Sequence, residues 1–580
     1  MKKLLIANRG EIAIRVARAA RDYCVTSVAL YSDADAGSLH AELADEAYGL
    51  GPGRPADTYL NIEKIISIAA LAGADAIHPG YGFLSERAEF AQAVIDAGLI
   101  WVGPPPAVIT ALGDKVEARR IAKHVGAPLV KGSDGPLASA AEAVAFAREV
   151  GLPMAIKAAF GGGGRGMKVA HRLEEVGELF DSAVREATEA FGRGECYAEQ
   201  FLAQPRHIEA QVLADRHGQT VVLGTRDCSL QRRNQKLVEE APAPFITEDQ
   251  RTRIHDAARA ICSEAGYVGA GTVEFLLSRN GVISFLEVNT RLQVEHPVTE
   301  ATTDLDIVVE QLRIADGLPL TVTQTPEPRG HAFEFRINAE DPGRGFLPTP
   351  GRIDVFRPPS GPGVRLDTGV EAGREIPGLY DSMMAKLIVT GRTREEALAR
   401  ARRALSEFRI EGVASVLPFH RAVVEEPAFT GENGFGIFTT WIESEFRGVS
   451  PAPRVDTVDG GLLRTFIEID GKRHVLALPA ALFSGSLVTA TSSASATAVT
   501  TFERGAVMTP IPGILQAWIA EDGAMVREGD VVGQIEAMKM ETRIHAPTSG
   551  RIRWSSKPGD TIGPGTVLAT IEDVELDANG

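Results

Sequence analysis

GTVEFLLSRNGVISFLEVNTRLQVEHP, residues 271–297, is a pair of apolar runs joined at Asn280-Gly281. That dipeptide favours a two-residue hairpin turn, because both central positions need positive φ. Such a turn pairs Arg279 with Val282, so Glu274 faces Glu287 across the hairpin. Like charges directly opposite one another destabilise a sheet. A divalent cation removes that penalty, and carboxylate oxygens suit Mg²⁺ (or Mn²⁺) held together with nucleotide phosphates. Two solvated glutamates are the plain alternative. If the second run stays extended, Leu286, Val288, Leu292 and Val294 share one side, and Glu287, Asn289, Arg291, Gln293 and Glu295 the other. Five polar groups of mixed charge, backed by an apolar face, predict an enclosed cleft.

Upstream, FGGGGRGMKV (160–169) holds a run of glycines beside two cations, Lys157 and Arg165. Glycine lets backbone N–H groups approach phosphate closely. The run is neither a Walker A loop nor GxGxxG, so a phosphate lid and a plain surface loop both remain open. Arg336 interrupts the apolar strand FEFRIN (333–338) and requires an anionic partner. His207 begins a strand, QRRNQKLVEEAP (231–242) carries Arg232, Arg233 and Lys236, and HPGYGFLSE (78–86) reads as a glycine-rich turn.

The chain around these motifs has 580 residues, enough for about four domains. It is 44 % hydrophobic and 24 % charged, an ordinary globular balance. A formal net charge of −17 argues against a nucleic-acid binder, whose affinity rests on neutralising phosphates. The start, MKKLLIANRG, reads as a first strand rather than a signal peptide, and no apolar run is long enough for a membrane span. Cys24, Cys196, Cys228 and Cys262 match no zinc spacing and are expected as free thiols in a cytoplasmic protein. The first ~110 residues alternate strand and helix, a βαβ pattern with a parallel sheet.

Composition changes after ~446. RTFIEIDGKRHVLALP (464–479) reads as a hairpin about Asp470-Gly471, and SGSLVTATSSASATAVTT (484–501) as a flexible linker spanning roughly 20–25 Å. The last ~70 residues repeat. Gly523, Val526, Gly529, Val531, Ile535 and Glu536 recur 36 positions on as Gly559, Ile562, Gly565, Val567, Ile571 and Glu572. Two similar half-motifs predict a pseudo-two-fold β-sandwich. At their join lies Glu536-Ala537-Met538-Lys539-Met540, a lysine flanked by methionines at an expected turn, where an acylated lysine would be presented.

Together these motifs resemble the biotin-dependent carboxylases. NRGEIA (8–13), HPGYGFLSE, GDK (113–115), GGGGRGM (161–167), RDCSLQRRNQKLVEEAP (226–242), EVNTRLQVEHPVTE (287–300) and RINAED (336–341) resemble a biotin carboxylase of the ATP-grasp superfamily. AMKM resembles the motif of a biotinyl carrier domain. The resemblance implies an α/β multidomain chain: a βαβ N-terminal domain (1–112), an ATP-grasp domain (113–315, lid about 131–203) and an α+β C-terminal domain (316–445). A small β segment and linker (446–505) and a flattened β-sandwich biotinyl domain (506–575) would follow.

The resemblance also implies roles. Lys115, Lys157, His207, Gln231 and the loop residues Gly162, Gly163, Gly164, Arg165 and Gly166 would hold ATP, with Glu199 and Leu202 meeting adenine through their backbones. Glu274, Glu287 and Asn289 would serve the metal. Lys236, Arg291, Gln293 and the Val294 backbone would hold bicarbonate. Glu295 would be the general base and Arg336 would steady the biotin enolate. Biotin would be attached to Lys539 between Met538 and Met540. One departure is Asn234, where the family often has His. The implied partners are biotin protein ligase and a carboxyltransferase β subunit, within a larger complex of homo-oligomeric type. The product would be carboxybiotin for carboxylation of acetyl- or propionyl-CoA, as in fatty acid biosynthesis. A carboxylase for a longer or branched acyl-CoA, or another ATP-grasp ligase, is the alternative.

Overall fold

The computed structural model describes residues 1–133, 135–158, 167–191, 193–432, 434–450, 462–469, 472–479, 505–509, 513–538, 540–563 and 566–572. It falls into two units, Met1–Val449 and Ser450–Gly580.

The first unit opens with the expected parallel sheet. Its strands are β1 (Lys3–Ile6), β2 (Thr26–Ser32), β3 (Glu46–Gly51), β4 (Ala76–His78) and β5 (Ile100–Trp101), in the order β3-β2-β1-β4-β5. Leu4, Leu5 and Ile6 are fully buried, as a parallel strand covered on both faces requires. Helix Gly10–Asp22 carries Ile12, Val16 and Ala20 into a core shared with Leu213, Leu223, Leu292 and Leu312. That apolar continuity fixes the first sheet against the rest of the unit.

A small three-stranded sheet follows, β6 (Met154–Ala158), β7 (Met167–Ala170) and β8 (Cys196–Gln200), in the order β7-β6-β8. It has its own core around Leu137, Ala147, Phe180 and Ala198. Backbone bonds Gln200 N to Lys131 O (2.8 Å) and Ser133 N to Ala198 O (2.8 Å) tie together the two chain segments at its root. The glycine loop, with Gly162, Gly163, Gly164, Arg165 and Gly166, lies outside the described residues.

The body is an eight-stranded sheet. Its labelled strands are β9 (Arg206–Ala214), β10 (Thr220–Arg232), β11 (Gln235–Ala241), β12 (Gly269–Leu277), β13 (Ile283–Asn289) and β14 (His331–Asn338). They run β13-β12-β9-β10-β11-β14 and continue into Met383–Gly391 and Val364–Thr368. The sheet therefore passes without a break across the expected boundary at 315/316.

The hairpin of 271–297 departs from expectation in two places. Leu277 pairs with Ile283, so residues 278–282 form the connection instead of Asn280-Gly281 alone. Ser278 holds this wider loop: its Oγ accepts from Val282 N at 2.9 Å, and its N–H donates to Val282 O at 2.9 Å. The register then shifts between Glu274 and Phe275, with Leu286 as the extra residue. The two departures cancel, and Glu274 faces Glu287. Extension also stops at Asn289. Glu295 sits at the N-terminus of helix His296–Thr303, whose second residue is Pro297, a residue suited to a first turn. Arg291, Gln293 and Glu295 thus leave the strand, and their neighbourhood is set by a loop.

In the second unit, Leu462–Ile469 pairs with Lys472–Pro479 as an antiparallel hairpin. Asp470-Gly471 and the 484–501 linker lie outside the described residues. The terminal repeat builds two four-stranded sheets. One runs Ala506–Met508, Val567–Glu572, Gly550–Trp554, Met525–Val526, and the other Met540–His545, Val531–Ala537, Gly513–Trp518, Thr561–Ile562. A shift of 36 residues superposes the second order on the first, each half lending its short strand to the other. Trp518 and Trp554, also 36 apart, stack at 5.4 Å with an interplanar angle of 9°. No helix among the described residues is long and apolar enough to cross a membrane.

Candidate active site

Glu274 is 4 % exposed and Glu287 is half-buried on the next strand. The neighbouring strands complete the setting. β9 presents His207 and Glu209 beside Glu274, since Glu209 pairs with Glu274. β11 presents Lys236 and Glu239, and β14 presents Arg336.

Lys236 is the hub. Its ammonium donates to Glu274 Oε1 at 3.0 Å, to Glu295 Oε1 at 2.8 Å and, in closer contact, to Glu209 Oε1. An ammonium has three donors, and all three are engaged. Glu274 Oε1 also accepts from Asn289 Nδ2 at 2.7 Å and Gln293 Nε2 at 2.8 Å, while Glu274 Oε2 lies 2.9 Å from His207 Nε2. Arg336 bridges Glu239 Oε1 (2.6 Å) and Glu295 Oε2 (2.9 Å); the anionic partner demanded by its sequence setting is present twice. Arg291 joins through Asn289 Oδ1 at 3.0 Å and meets Glu86 Oε2 at 3.0 Å. Lys386 Nζ donates to the Val294 carbonyl at 2.9 Å.

These contacts set the protonation states. Burial works to raise the Glu295 carboxyl, but Lys236, Arg336 and Arg226 outweigh it and lower it. Glu274 is likewise pushed up by burial yet held well below the carboxylate range by Lys236 and His207. Burial opposes a charged His207, and Glu274 overcomes that to raise it. Glu287 goes the other way: burial and then Glu274 raise it, against Lys115, whose Nζ is 3.8 Å from Glu287 Oε2. The cross-strand pair is thus one satisfied carboxylate facing one poorly compensated carboxylate. A divalent cation fits this donor set, because it supplies the missing positive charge to oxygen ligands. His207, Glu209 and Glu274 also offer ligand atoms within 4.8 Å of one another.

The expected nucleotide residues form a second group. Lys157 Nζ touches Glu199 Oε1, whose other oxygen lies 3.1 Å from Arg119 Nη1. Leu202 is 9 % exposed, and Gln231 Nε2 lies 3.3 Å from His207 Nδ1. In the second unit, Met538 is 4 % exposed at φ 49° and Ala537 pairs with Met540. Lys539 and the Met540 side chain lie outside the described residues.

Sequence reasoning missed Glu209, Arg226, Glu239 and Glu86. Arg226 is fully buried; its guanidinium donates to Glu209 Oε2 (2.9 Å), Gln293 Oε1 (2.6 Å), Gln211 Oε1 (2.6 Å) and Thr299 Oγ1 (3.0 Å). It fixes the amide of Gln293 so that Nε2 points at Glu274. A signal existed for Glu209: a carboxylate inside the apolar strand HIEAQVLA requires a partner, as Arg336 does.

Comparison with known proteins agrees with this geometry. Residues 1–109 match the family model for the biotin carboxylase N-terminal domain, 114–323 that for the carbamoyl-phosphate synthase L chain ATP-binding domain, 334–444 that for the biotin carboxylase C-terminal domain and 505–571 that for biotin-requiring enzymes. The chain is 55 % identical to a biotin-dependent acyl-coenzyme A carboxylase alpha3 subunit of Mycobacterium leprae, over 98 % of each. It is 48 % identical to biotin carboxylase 1 of Bacillus subtilis, covering 74 % of this chain and 96 % of that one. Among solved structures, the biotin carboxylase domain dimer of Hydrogenobacter thermophilus 2-oxoglutarate carboxylase, in complex with MgADP, ADP and bicarbonate, is 44 % identical. It covers 76 % of this chain and 97 % of that one, with a TM-score of 0.71.

Proposed function

The chain belongs to the alpha subunits of biotin-dependent acyl-CoA carboxylases, and on that premise we propose that it carboxylates biotin carried on Lys539 for transfer to acetyl- or propionyl-CoA. It is an ATP-grasp biotin carboxylase that uses covalent biotin, ATP and Mg²⁺, and its class implies a carboxyltransferase partner. In this reading biotin protein ligase attaches the cofactor in the cytoplasm, and the subunit works as a homo-oligomer within a larger complex. The domain limits 1–112, 113–315, 316–445, 446–505 and 506–575 belong to the same reading.

The observation that carries the chemistry is Lys236 bridging Glu274 and Glu295 while Arg336 holds the other oxygen of Glu295. When bound, Mg²⁺ neutralises charge on the ATP phosphates. Glu274, Glu287 and Asn289 would hold it. Lys236, with Arg291, Gln293 and the Val294 backbone, receives bicarbonate. Glu295, ionised in this setting, takes the bicarbonate proton, and the oxygen attacks the γ-phosphate, breaking its bond to ADP and giving carboxyphosphate. This breaks down to CO₂ and phosphate, the phosphate takes the biotin N1′ proton, and the resulting enolate adds CO₂ at nitrogen. Lys115, Lys157 and the 162–166 loop stabilise charge developing on phosphoryl oxygens. Arg336 is then placed to steady the biotin enolate.

An avidin blot of Lys539→Ala tests the carrier: labelling is expected to vanish, and persistent labelling refutes the attachment site. Reconstitution with candidate β subunits across acetyl-, propionyl-, longer and branched acyl-CoAs tests the substrate. Turnover confined to longer or branched chains overturns the acetyl/propionyl assignment.

A further inference from the structure

Arg119 has no part in the chemistry above, yet it reaches the root of the lid. It lies on helix Lys115–His124, one turn beyond Lys115 and on the same face. Asp114 caps that helix, accepting from Val116 N at 2.9 Å and Glu117 N at 2.8 Å. Glu199 sits on β8, bridged to Gly132 in the opposite root segment. Gly132 leaves room for the guanidinium: a Cβ there would meet Arg119 Nη2 at 3.0 Å. Two cations therefore divide one carboxylate, Lys157 on Oε1 and Arg119 on Oε2. The Glu199 side chain is only 18 % exposed and the Lys157 side chain 41 %. The carboxylate is thus the fixed member of the pair, and Lys157 has the freer exit toward solvent.

We propose that Arg119 is a positioning residue for ATP, holding the Glu199 carboxylate so that Lys157 can leave it for the nucleotide phosphates. This rests on the reading that Lys157 binds phosphate. A half-buried carboxylate stripped of its cation pays a desolvation cost. Without Arg119, Glu199 competes with phosphate for the lysine; with Arg119, Glu199 stays paired throughout.

The test is a double-mutant cycle on the full biotinylated chain, with bicarbonate-dependent ATP cleavage measured against free biotin. Arg119→Ala is expected to raise KM for ATP about two- to fivefold, the range for a partly exposed ion pair, with kcat changed by less than about twofold. Arg119→Lys keeps the charge and is expected to keep KM near that of the parent. Arg119→Ala in a Glu199→Gln background is expected to leave KM where Glu199→Gln alone puts it, because no carboxylate remains to compete. An unchanged KM in Arg119→Ala overturns the proposal. So does an equal rise in both backgrounds, which marks Arg119 as a mere staple, and so does failure of Arg119→Lys to hold KM if Arg119→Ala does not fold. Lys157→Met separates the underlying reading: an unchanged KM for ATP in that variant refutes phosphate binding by Lys157, whatever Arg119 does.

Discussion

Glu295 is held from two sides, by Lys236 on one oxygen and Arg336 on the other. That pairing keeps it ionised, and in the proposed reading it is the base that takes the bicarbonate proton. Replacing it with Gln keeps shape and hydrogen-bonding capacity but removes the proton acceptor. Glu295→Gln is therefore expected to lower bicarbonate-dependent ATP cleavage by about 10²–10⁴, with an unchanged circular-dichroism spectrum. Near-parental turnover would remove Glu295 from the role of base. At this scale the sequence showed much: Lys236, Glu274, Glu295 and Arg336 were each singled out, and they lie together. Glu209 and Arg226 were not, because nothing in a linear pattern tells which buried strand residue completes another's charge.

The cross-strand pair Glu274/Glu287 is the element that stores the site's electrostatic cost. Glu287 is raised by burial and by Glu274, so the hairpin carries repulsion that Lys115 only partly offsets. Glu287→Gln is expected to stabilise the protein in EDTA by up to about 1 kcal/mol, seen as a higher midpoint in denaturant, while abolishing most MgATP cleavage. A loss of stability in EDTA would show that the two carboxylates do not repel. The pairing was legible in the sequence through Asn280-Gly281, but by a route the structure corrects. The turn is longer and a bulge at Leu286 restores the register, because the Ser278 side chain competes for backbone bonds that a two-residue turn would make itself. Likewise the alternation ended at Asn289 rather than Glu295, since Pro297 starts a helix where the strand was expected to continue.

Across the whole molecule, buried imidazoles set the response to acid. His40, His78 and His420 are each lowered to about 4 by burial. His78 accepts from Gly80 N at 2.9 Å and faces Gln311 Oε1 at 3.2 Å, so its neutral ring is satisfied at both nitrogens. The unfolded chain binds these protons below about pH 6.5 and the folded chain only below about 4. The contribution of these three imidazoles to stability therefore falls as pH drops from 6.5 to about 4 and levels off below that. Denaturant unfolding across this window is expected to show a slope reduced by about one proton in His78→Gln; an identical slope would refute the burial effect. The division at Val449/Ser450, together with the carboxylase family matches that end at residue 444, predicts that residues 1–449 alone cleave ATP in the presence of bicarbonate and free biotin. Absence of that activity in a folded fragment would show that the front unit depends on the second. The sequence by itself laid out the candidate groups and their order along the chain: the glutamate hairpin, the strand arginine and the AMKM segment, all written in patterns a few residues long. Only the tertiary structure decided which charges share partners. Lys236, Glu209 and Arg226 meet through strands brought together by pairing, with register breaks beside Gly224 and between Asp227 and Leu230. Such breaks reset which face a side chain takes, and they follow from packing between strands rather than from the alternation within one.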